Sequence, residues 1–349
     1  MKVSTLLVAA ACSLFFVSCS NDPYKNVDPE IAAKAQANIA TATPERAEAL
    51  TQVLKDIKPE YREGMAYLYA YMPKHDIDTL STALIKENIE YAYKAYEKFP
   101  WVKDLPKEIF YNEVLPYVCV DETRDSWRPM FMEMFGPMAA ASGDMAAAID
   151  TVNKSIKEAV DVVYNVKRKK PNQSPSESME IHMASCTGLS ILLIDAFRSV
   201  GIPARQIYTP RWAHTDDNHA WVEAWADGKW HFLGACEPEP VLDLAWFNDP
   251  ASRGLLMSTN VVGDYRGPEE VLLKEPLTTR INVTSNYASV ADLPVRVVRA
   301  DGAPAADAEV NFCIYNYSEY FPAVTKRADA NGEASLSAGI GDMMVWACE

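Results

Sequence analysis

The sequence predicts an α+β protein in which a helical N-terminal region precedes a mixed core and a small β-sandwich. Apolar residues recur at helical spacing from Pro29 to about Phe99, and a long helix is expected over Asp144–Tyr164. After residue 280 the apolar period shortens to two, and Asp301-Gly302 and Asn331-Gly332 mark turns between short strands. These changes of period within 349 residues predict two or three domains.

The first segment, residues 1–18, resembles a bacterial lipoprotein signal peptide. Lys2 gives it a positive start, and the apolar stretch Leu6–Val17 is too short to span a bilayer as a helix. It ends in Phe16-Val17-Ser18-Cys19, which resembles a lipobox and predicts lipid attachment at Cys19. Ordinary secretory cleavage after Ser18 or slightly later is the alternative. With the lipid, we expect an envelope protein held on a membrane through Cys19, on a face that the sequence does not specify.

The charge balance argues against a nucleic-acid partner. The chain carries 33 Lys and Arg against 48 Asp and Glu, a net charge of −15, and its longest basic run is Lys167-Arg168-Lys169-Lys170. Such an excess of acidic residues opposes binding to phosphate backbones, whose charge the protein would have to neutralise. Seven cysteines without a CxxC pair do not indicate a zinc ribbon, and Asp216-Asp217-Asn218 lacks the other ligands of a calcium loop. We therefore predict no cofactor and no metal.

Local signals place the elements before the core. Thr43-Pro44 is typical of a helix start, and a second helix is expected to open at Asp78–Ser81 and run to about Lys98. Residues 101–129 are expected to be irregular, and residues 167–178 are expected to form a loop. We accordingly assign residues 19–139 to a helical N-terminal region and residues 140–275 to the core.

A cysteine stands at the start of the most hydrophobic predicted helix. Ser185-Cys186-Thr187-Gly188 is followed by a buried stripe from Leu189 to Val200, which Gly201 ends as a C-terminal cap. In the first turn of a helix the macrodipole and the unpaired N–H groups favour a thiolate. Those N–H groups could also bind a developing oxyanion. Cys186 is thus a candidate nucleophile, the alternative being a buried structural cysteine.

A candidate base follows on a strand. In Asn218-His219-Ala220-Trp221-Val222-Glu223-Ala224-Trp225 the alternate residues from His219 to Trp225 share one face, and Asp227-Gly228 predicts a two-residue type I′ hairpin. A neutral imidazole near the sulfur could accept its proton, leaving an ion pair that holds the thiolate ready. His214, in the loop before the strand, is the weaker candidate for the base.

These motifs together resemble the transglutaminase-like superfamily. The resemblance rests on Cys186-Thr-Gly, on Gly201-Ile-Pro-Ala-Arg205, on His219-Ala-Trp-Val-Glu and on Asp227-Gly-Lys-Trp230. It implies a papain-like arrangement, with a Cys on a helix and a His and an acid on adjacent strands. Carried onto this chain, it implies Cys186 as nucleophile and His219 as base. The implied chemistry is acyl transfer on amide bonds.

The third member of the site is where the resemblance weakens, because Gly234 stands where the family pattern places an acid. If the strand after the hairpin continues, His219 faces Cys236 and Glu237 points to the other face. A bulge at Gly234-Ala235 would bring Glu237 to the histidine's face. We expect Glu237 to be the orienting carboxylate. Asp243, a neutral residue, or no third member are the alternatives.

The sequence is compatible with more than one function for this site. We favour a cysteine peptidase or amidase that hydrolyses a peptide or protein substrate, with a cross-linking transglutaminase as the alternative. A catalytically weak binding or adhesion lipoprotein, using the fold as a scaffold, is the alternative from another class.

The last segment, residues 280–349, resembles an immunoglobulin-like β-sandwich. It is expected to contain strands over residues 280–283, 294–298, 308–315 and 343–347. Its length is below the roughly 100 residues of such domains, so the sandwich is either small or incomplete. A disulfide between Cys313 and Cys348 would staple it if the strands align.

Overall fold

The computed structural model describes residues 22–349, and the expected signal peptide and lipid site at Cys19 lie outside these residues. The α-helices are α1 (Pro29–Ile39), α2 (Pro44–Asp56), α3 (Arg62–Ala70), α4 (Lys74–Thr79), α5 (Thr82–Lys98), α6 (Lys107–Glu113), α7 (Arg128–Ala141), α8 (Met145–Val160), α9 (Pro175–Ile181), α10 (Cys186–Ser199) and α11 (Asn248–Ser252). The strands are β1 (Val163–Tyr164), β2 (Met183–Ala184), β3 (Ala204–Thr209), β4 (His219–Ala226), β5 (Lys229–Leu233), β6 (Ser258–Val262), β7 (Val271–Lys274), β8 (Thr278–Asn282), β9 (Val290–Arg296), β10 (Glu309–Asn316), β11 (Glu319–Arg327), β12 (Glu333–Gly339) and β13 (Met344–Cys348).

Helix α10 lies at the centre of the molecule. Its C-terminal twelve residues are buried, and it packs on strands β3 and β4 on one side and on helices α7 and α8 on the other. The strands belong to a six-stranded antiparallel sheet with the order β5-β4-β3-β6-β8-β7. The helix that begins with Cys186 is therefore held between a sheet and a layer of helices.

The N-terminal helices are part of the same hydrophobic core as α10, and one continuous cluster of buried residues extends from Val27 to Cys236. Polar contacts reinforce it at the C-terminal end of α10. The guanidinium of Arg128 is 2% exposed and donates to the carbonyls of Val114, Leu115, Pro116 and Arg198. Because a buried cation needs all these acceptors, Arg128 ties the irregular segment before α7 to the central helix.

The fold class predicted from the sequence is confirmed: helices precede a mixed core, and strands follow it. Thr43 caps α2 and Ser81 caps α5 as expected. The expectation that residues 101–129 are irregular is only half right, because α6 and the start of α7 lie there. The long helix after Asp144 ends at Val160, where Asp161 takes a left-handed conformation with φ of 51°.

The C-terminal strands form two small sheets around their own apolar cluster. Strands β11, β10 and β13 form one sheet and β12 and β9 the other, with Phe312, Ile314 and Leu336 buried between them. The strand expected at residues 280–283 is not part of this sandwich, because β8 pairs with β6 and β7 in the central sheet. A period of two identifies a strand but not the sheet that it joins.

The disulfide suggested for the sandwich is absent. Cys313 and Cys348 are both free, and the register between β10 and β13 places Cys313 opposite Met344 and Cys348 opposite Glu309. The two sulfurs are therefore several residues apart along the ladder, beyond the reach of a disulfide.

Among residues 22–349 we find no helix with both the length and the apolar character needed to cross a bilayer.

A substitution at Gly201 would test the packing at the end of α10. Its φ is 73°, and a Cβ there would lie 2.3 Å from Cγ2 of Val102. Gly201→Ala should lower the free energy of unfolding by about 3 kcal/mol, since a left-handed conformation costs about 1–2 kcal/mol and overpacking about 1–3 kcal/mol. Denaturant unfolding would measure the loss.

Gly228→Ala is the matched control, because Gly228 has a φ of 79° and open space around the missing Cβ. It should show the conformational penalty alone, about 1–2 kcal/mol. Equal losses in the two variants would contradict the predicted clash with Val102.

Candidate active site

Cys186 is the first residue of α10, as the sequence indicates. Ser185 is the N-cap, and its hydroxyl accepts from the N–H of Gly188 at 2.9 Å. Cys186 is partly exposed, and the backbone N–H groups of Thr187 and Ala220 favour its thiolate. Ala220 directly follows His219, so the helix terminus and the start of β4 meet at the sulfur.

His219 is the first residue of β4 and pairs with Thr209 of β3. Its ring lies among aromatic rings, whose centroids are 4.9 Å away for Trp246, 5.4 Å for Phe247, 5.8 Å for Trp221 and 6.1 Å for Trp212. The alternation predicted for β4 is confirmed, because Val222 and Ala224 pack in the same apolar cluster as α10 while Trp221 packs in a second apolar cluster. The side chains of Cys186 and His219 line a common cavity.

The ionisation of the two groups differs from the expected thiolate and imidazolium. Burial raises the pKa of the Cys186 thiol, although the two N–H groups and Arg168 oppose that shift. Desolvation among the aromatic rings lowers the pKa of His219 to about 4, and Asp217 only partly opposes it. At neutral pH the cavity is therefore lined by a thiol and a neutral imidazole, and within residues 22–349 no hydrogen bond joins the two groups. The helix terminus helps the thiolate, but burial outweighs it.

Two cavities flank Cys186. One, which we call the aromatic cavity, has a volume of about 460 Å³ and is lined by His219, Trp212, Trp246 and Tyr317. The other, which we call the polar cavity, has a volume of about 600 Å³ and is lined by residues of β3, β6 and β8 and by Phe321, Pro322 and Ala323 of β11. Arg168, Ser185, Cys186 and Asn218 line both cavities. An extended chain could thus pass the sulfur with one part in each cavity.

Glu237 lines the aromatic cavity but does not bond to His219. Its Oε2 accepts from the indole N–H of Trp246 at 2.8 Å, and within residues 22–349 no hydrogen bond or ion pair joins it to the imidazole. The strand β5 ends at Leu233 instead of continuing, and Gly234 pairs with Glu237 across a tight turn in which Cys236 has a φ of 60°. His219 therefore does not face Cys236, and a turn takes the place of the expected bulge.

The other residues considered for the site have different partners. The carboxylate of Asp243 bonds to Nδ1 of His231 at 2.7 Å, on a histidine outside the cavity. His214 is exposed, and the cavity that holds the sulfur is lined by His219 and not by His214. Glu223 is buried and bonds to Arg205 at 2.7 Å and to the hydroxyl of Tyr287 at 2.6 Å. Glu223 is thus a structural residue beneath the site.

One group of potential metal ligands lies in the described part of the chain. The ligand atoms of Cys119, Glu122 and Asp195 are within 4.8 Å of one another. However, Glu122 accepts from two backbone N–H groups, and a guanidinium nitrogen of Arg198 lies 3.7 Å from the Cys119 sulfur. Burial raises the pKa of the Cys119 thiol and of the Glu122 and Asp195 carboxyl groups. A hydrogen-bonded cluster beside an arginine fits these contacts better than a cation site does.

Several residues of the site could not be chosen from the sequence. Arg168, Trp212 and Asp217 lie in segments that read as loops, and Trp246 follows the turn after β5. Tyr317 comes from the C-terminal strands, about 130 residues beyond Cys186. Trp212 and Asp217 lie in the stretch just before His219, and this proximity is the one signal that could have indicated them.

The buried pair Arg205–Glu223 should support the site through packing, because its members are each 3% exposed. Glu223→Gln should lower the free energy of unfolding by about 3 kcal/mol, since it leaves the Arg205 cation without its counter-charge. Denaturant unfolding would measure this. The exposed Glu333→Gln is the control and should change stability by less than about 0.5 kcal/mol. Equal effects would contradict the assigned role of Glu223.

A family model matches the core of this chain. Residues 136–235 match the family model "Transglutaminase-like superfamily". A search of curated proteins found no match. Among solved structures, the chain is similar to a Cytophaga hutchinsonii protein proposed to be a cysteine protease, at 17% identity and a TM-score of 0.30, over 53% of this chain and 66% of that one.

A second solved structure, a TGase, is similar at 15% identity and a TM-score of 0.27, over 43% of this chain and 38% of that one. In both cases this chain covers less than two thirds of the other protein. Residues 136–235, which match the transglutaminase-like superfamily model, supply Cys186 and His219 to the shared cavity and form a transglutaminase-like core in this α+β chain.

Proposed function

We propose that this protein is a thiol-dependent acyl-transfer enzyme acting on amide bonds, with Cys186 as nucleophile and His219 as general base. The observation that carries the proposal is the position of both side chains on one cavity, where the N–H of Ala220 favours the Cys186 thiolate. A neutral imidazole beside a thiol can accept the proton as the sulfur attacks.

The proposed reaction proceeds in two steps. The Cys186 sulfur attacks the amide carbonyl as its proton passes to His219, and the imidazolium then gives that proton to the leaving nitrogen, which departs as an amine. The result is a thioester on Cys186. The N–H groups of Thr187 and Ala220 are near enough to the sulfur to stabilise charge that develops there or on the adjacent oxygen.

The acceptor of the acyl group decides between hydrolase and transferase. Water releases an acid, whereas a primary amine gives a new amide. We favour hydrolysis, with peptide or protein material as substrate, because amines are dilute outside the cell. The lipid at Cys19 and a location in the cell envelope are part of the same proposal.

A scaffold role is the second candidate, and a specific observation favours it. Among residues 22–349 no carboxylate bonds to the His219 imidazole, as Glu237 and Asp243 bond to Trp246 and His231. A binding protein of this fold would retain the cavities without turnover.

A peptide-library assay should separate these roles. The full chain would be incubated with a peptide library and a fluorescent primary amine, and products followed by mass spectrometry. Cys186→Ala should abolish both cleavage and amine incorporation, and His219→Ala should lower the rate about 10²–10⁴-fold. Cys348→Ala, at an exposed cysteine, is the matched control and should keep full activity. Activity retained in Cys186→Ala would contradict the proposal.

The pH dependence should reflect the aromatic surroundings of His219. The base form of an imidazole exists above its pKa, and the pKa of His219 is lowered from 6.5 to about 4. The acidic limb of kcat/KM, measured with the best library peptide, should therefore fall near pH 4 and not near pH 6.5. An acidic limb near pH 6.5 would contradict the desolvated imidazole.

Glu237 is proposed to position His219 through Trp246, since its carboxylate bonds to the indole that packs on the imidazole. Glu237→Gln keeps an acceptor for the indole N–H, so kcat should fall no more than about threefold, whereas Glu237→Ala should lower it about tenfold with an unchanged pH limb. If the Glu237 carboxylate touched the imidazolium directly, neutralising it would instead lower kcat about 10⁴-fold. A loss of that size in Glu237→Gln would assign Glu237 the direct role.

A further inference from the structure

The polar cavity is basic in an acidic chain. The protein carries a net charge of −15, yet the cavity beside Cys186 is lined by four arginines and by no aspartate or glutamate. A cavity with charge of one sign attracts ligands of the opposite sign and concentrates them. The arginines are Arg168, Arg198, Arg205 and Arg280.

Two of these four arginines lie near a carboxylate, and the other two do not. Arg205 pairs with Glu223 at 2.7 Å, and Arg198 lies 3.6 Å from the carboxylate of Glu113. Within residues 22–349 neither Arg168 nor Arg280 has an acidic partner within 4.0 Å, and the guanidinium of Arg168 makes no hydrogen bond. Arg280 donates only to the amide oxygen of Asn260, at 3.2 Å.

The cavity lining also contains buried polar atoms without partners. The side-chain amide nitrogen of Gln206, the hydroxyl of Thr259 and Nε of Arg168 are buried and form no hydrogen bond. Thr259 is 3% exposed. A buried polar group left unsatisfied costs about 1–3 kcal/mol, which a ligand with acceptor oxygens would recover. All three atoms can donate to an oxygen.

We infer that the polar cavity is a carboxylate-binding subsite for the substrate. Arginine and carboxylate form charge-assisted, often bidentate hydrogen bonds. The substrate class is then a peptide with a carboxylate next to the reacting amide, on an acidic side chain or on a free C-terminus. As a substrate subsite this rests on the proposed function, but the binding of a carboxylate beside Cys186 does not.

The alkylation rate of Cys186 tests whether the polar cavity binds a carboxylate, and the test needs no known substrate. Iodoacetate and iodoacetamide react with the same thiolate and differ only in the carboxylate. The ratio of their rates at Cys186 should exceed the ratio at the exposed Cys348 of the same chain about tenfold, and Arg168→Gln should abolish most of this excess. Any change in the thiol pKa affects both reagents equally and cancels in the ratio. A ratio at Cys186 equal to that at Cys348 would overturn the inference.

Protection of Cys186 from iodoacetamide distinguishes the two carboxylate sources. Acetyl-Glu-amide carries a side-chain carboxylate, acetyl-Gln with a free terminus carries a C-terminal one, and acetyl-Gln-amide carries none. One of the two anions should protect at a concentration about tenfold lower than the neutral probe, and Arg280→Gln should remove this difference. Arg266→Gln, which removes a charge outside the cavity, should leave it intact.

The inference and the proposed function can fail separately. Equal protection by all three probes, with Cys186 still reactive and Cys186→Ala still inactive on peptides, would overturn the carboxylate subsite alone. A Cys186 that neither reagent modifies at pH 9, while Cys348 reacts, would contradict both, because the cavities would then be closed to ligands.

Discussion

The site depends on how closely the first turn of α10 approaches the start of β4. Two of the buried β4 side chains in the apolar cluster that includes α10 are small, Ala224 and Ala226. Small residues allow a helix and a sheet to approach closely. At this approach the Ala220 N–H favours the Cys186 thiolate, and His219 lines the same cavity as Cys186.

The electrostatics of the site follow from its aromatic surroundings. The rings around His219 remove water from the imidazole, so its charged form is disfavoured and its pKa falls to about 4. The same burial raises the pKa of the Cys186 thiol. In the proposed mechanism, a neutral pair carries no charge at rest, and its proton moves only as the sulfur attacks. Arg168 and Asp217 act on this balance from the edges of the cavity.

The C-terminal strands contribute residues to both cavities. The Asn316 side chain is 2% exposed and donates to the carbonyls of Trp212 and Thr215, both at 2.8 Å, in the loop before His219. The hairpin turn beyond it holds Tyr317 and Ser318 at φ of 50° and 60°, a conformation that residues other than glycine rarely adopt. Tyr317 reaches the aromatic cavity from this turn.

The sequence by itself determined several elements and two candidate reacting groups, because their signals are local. A helix start at Cys186, a hairpin at Asp227-Gly228 and the alternation of β4 each depend on neighbouring residues. The partner of Glu237, the sheet that β8 joins and the ionisation of His219 were decided by the tertiary structure. Side-chain contacts, strand pairing and desolvation arise between residues distant in the chain, and no local pattern encodes them.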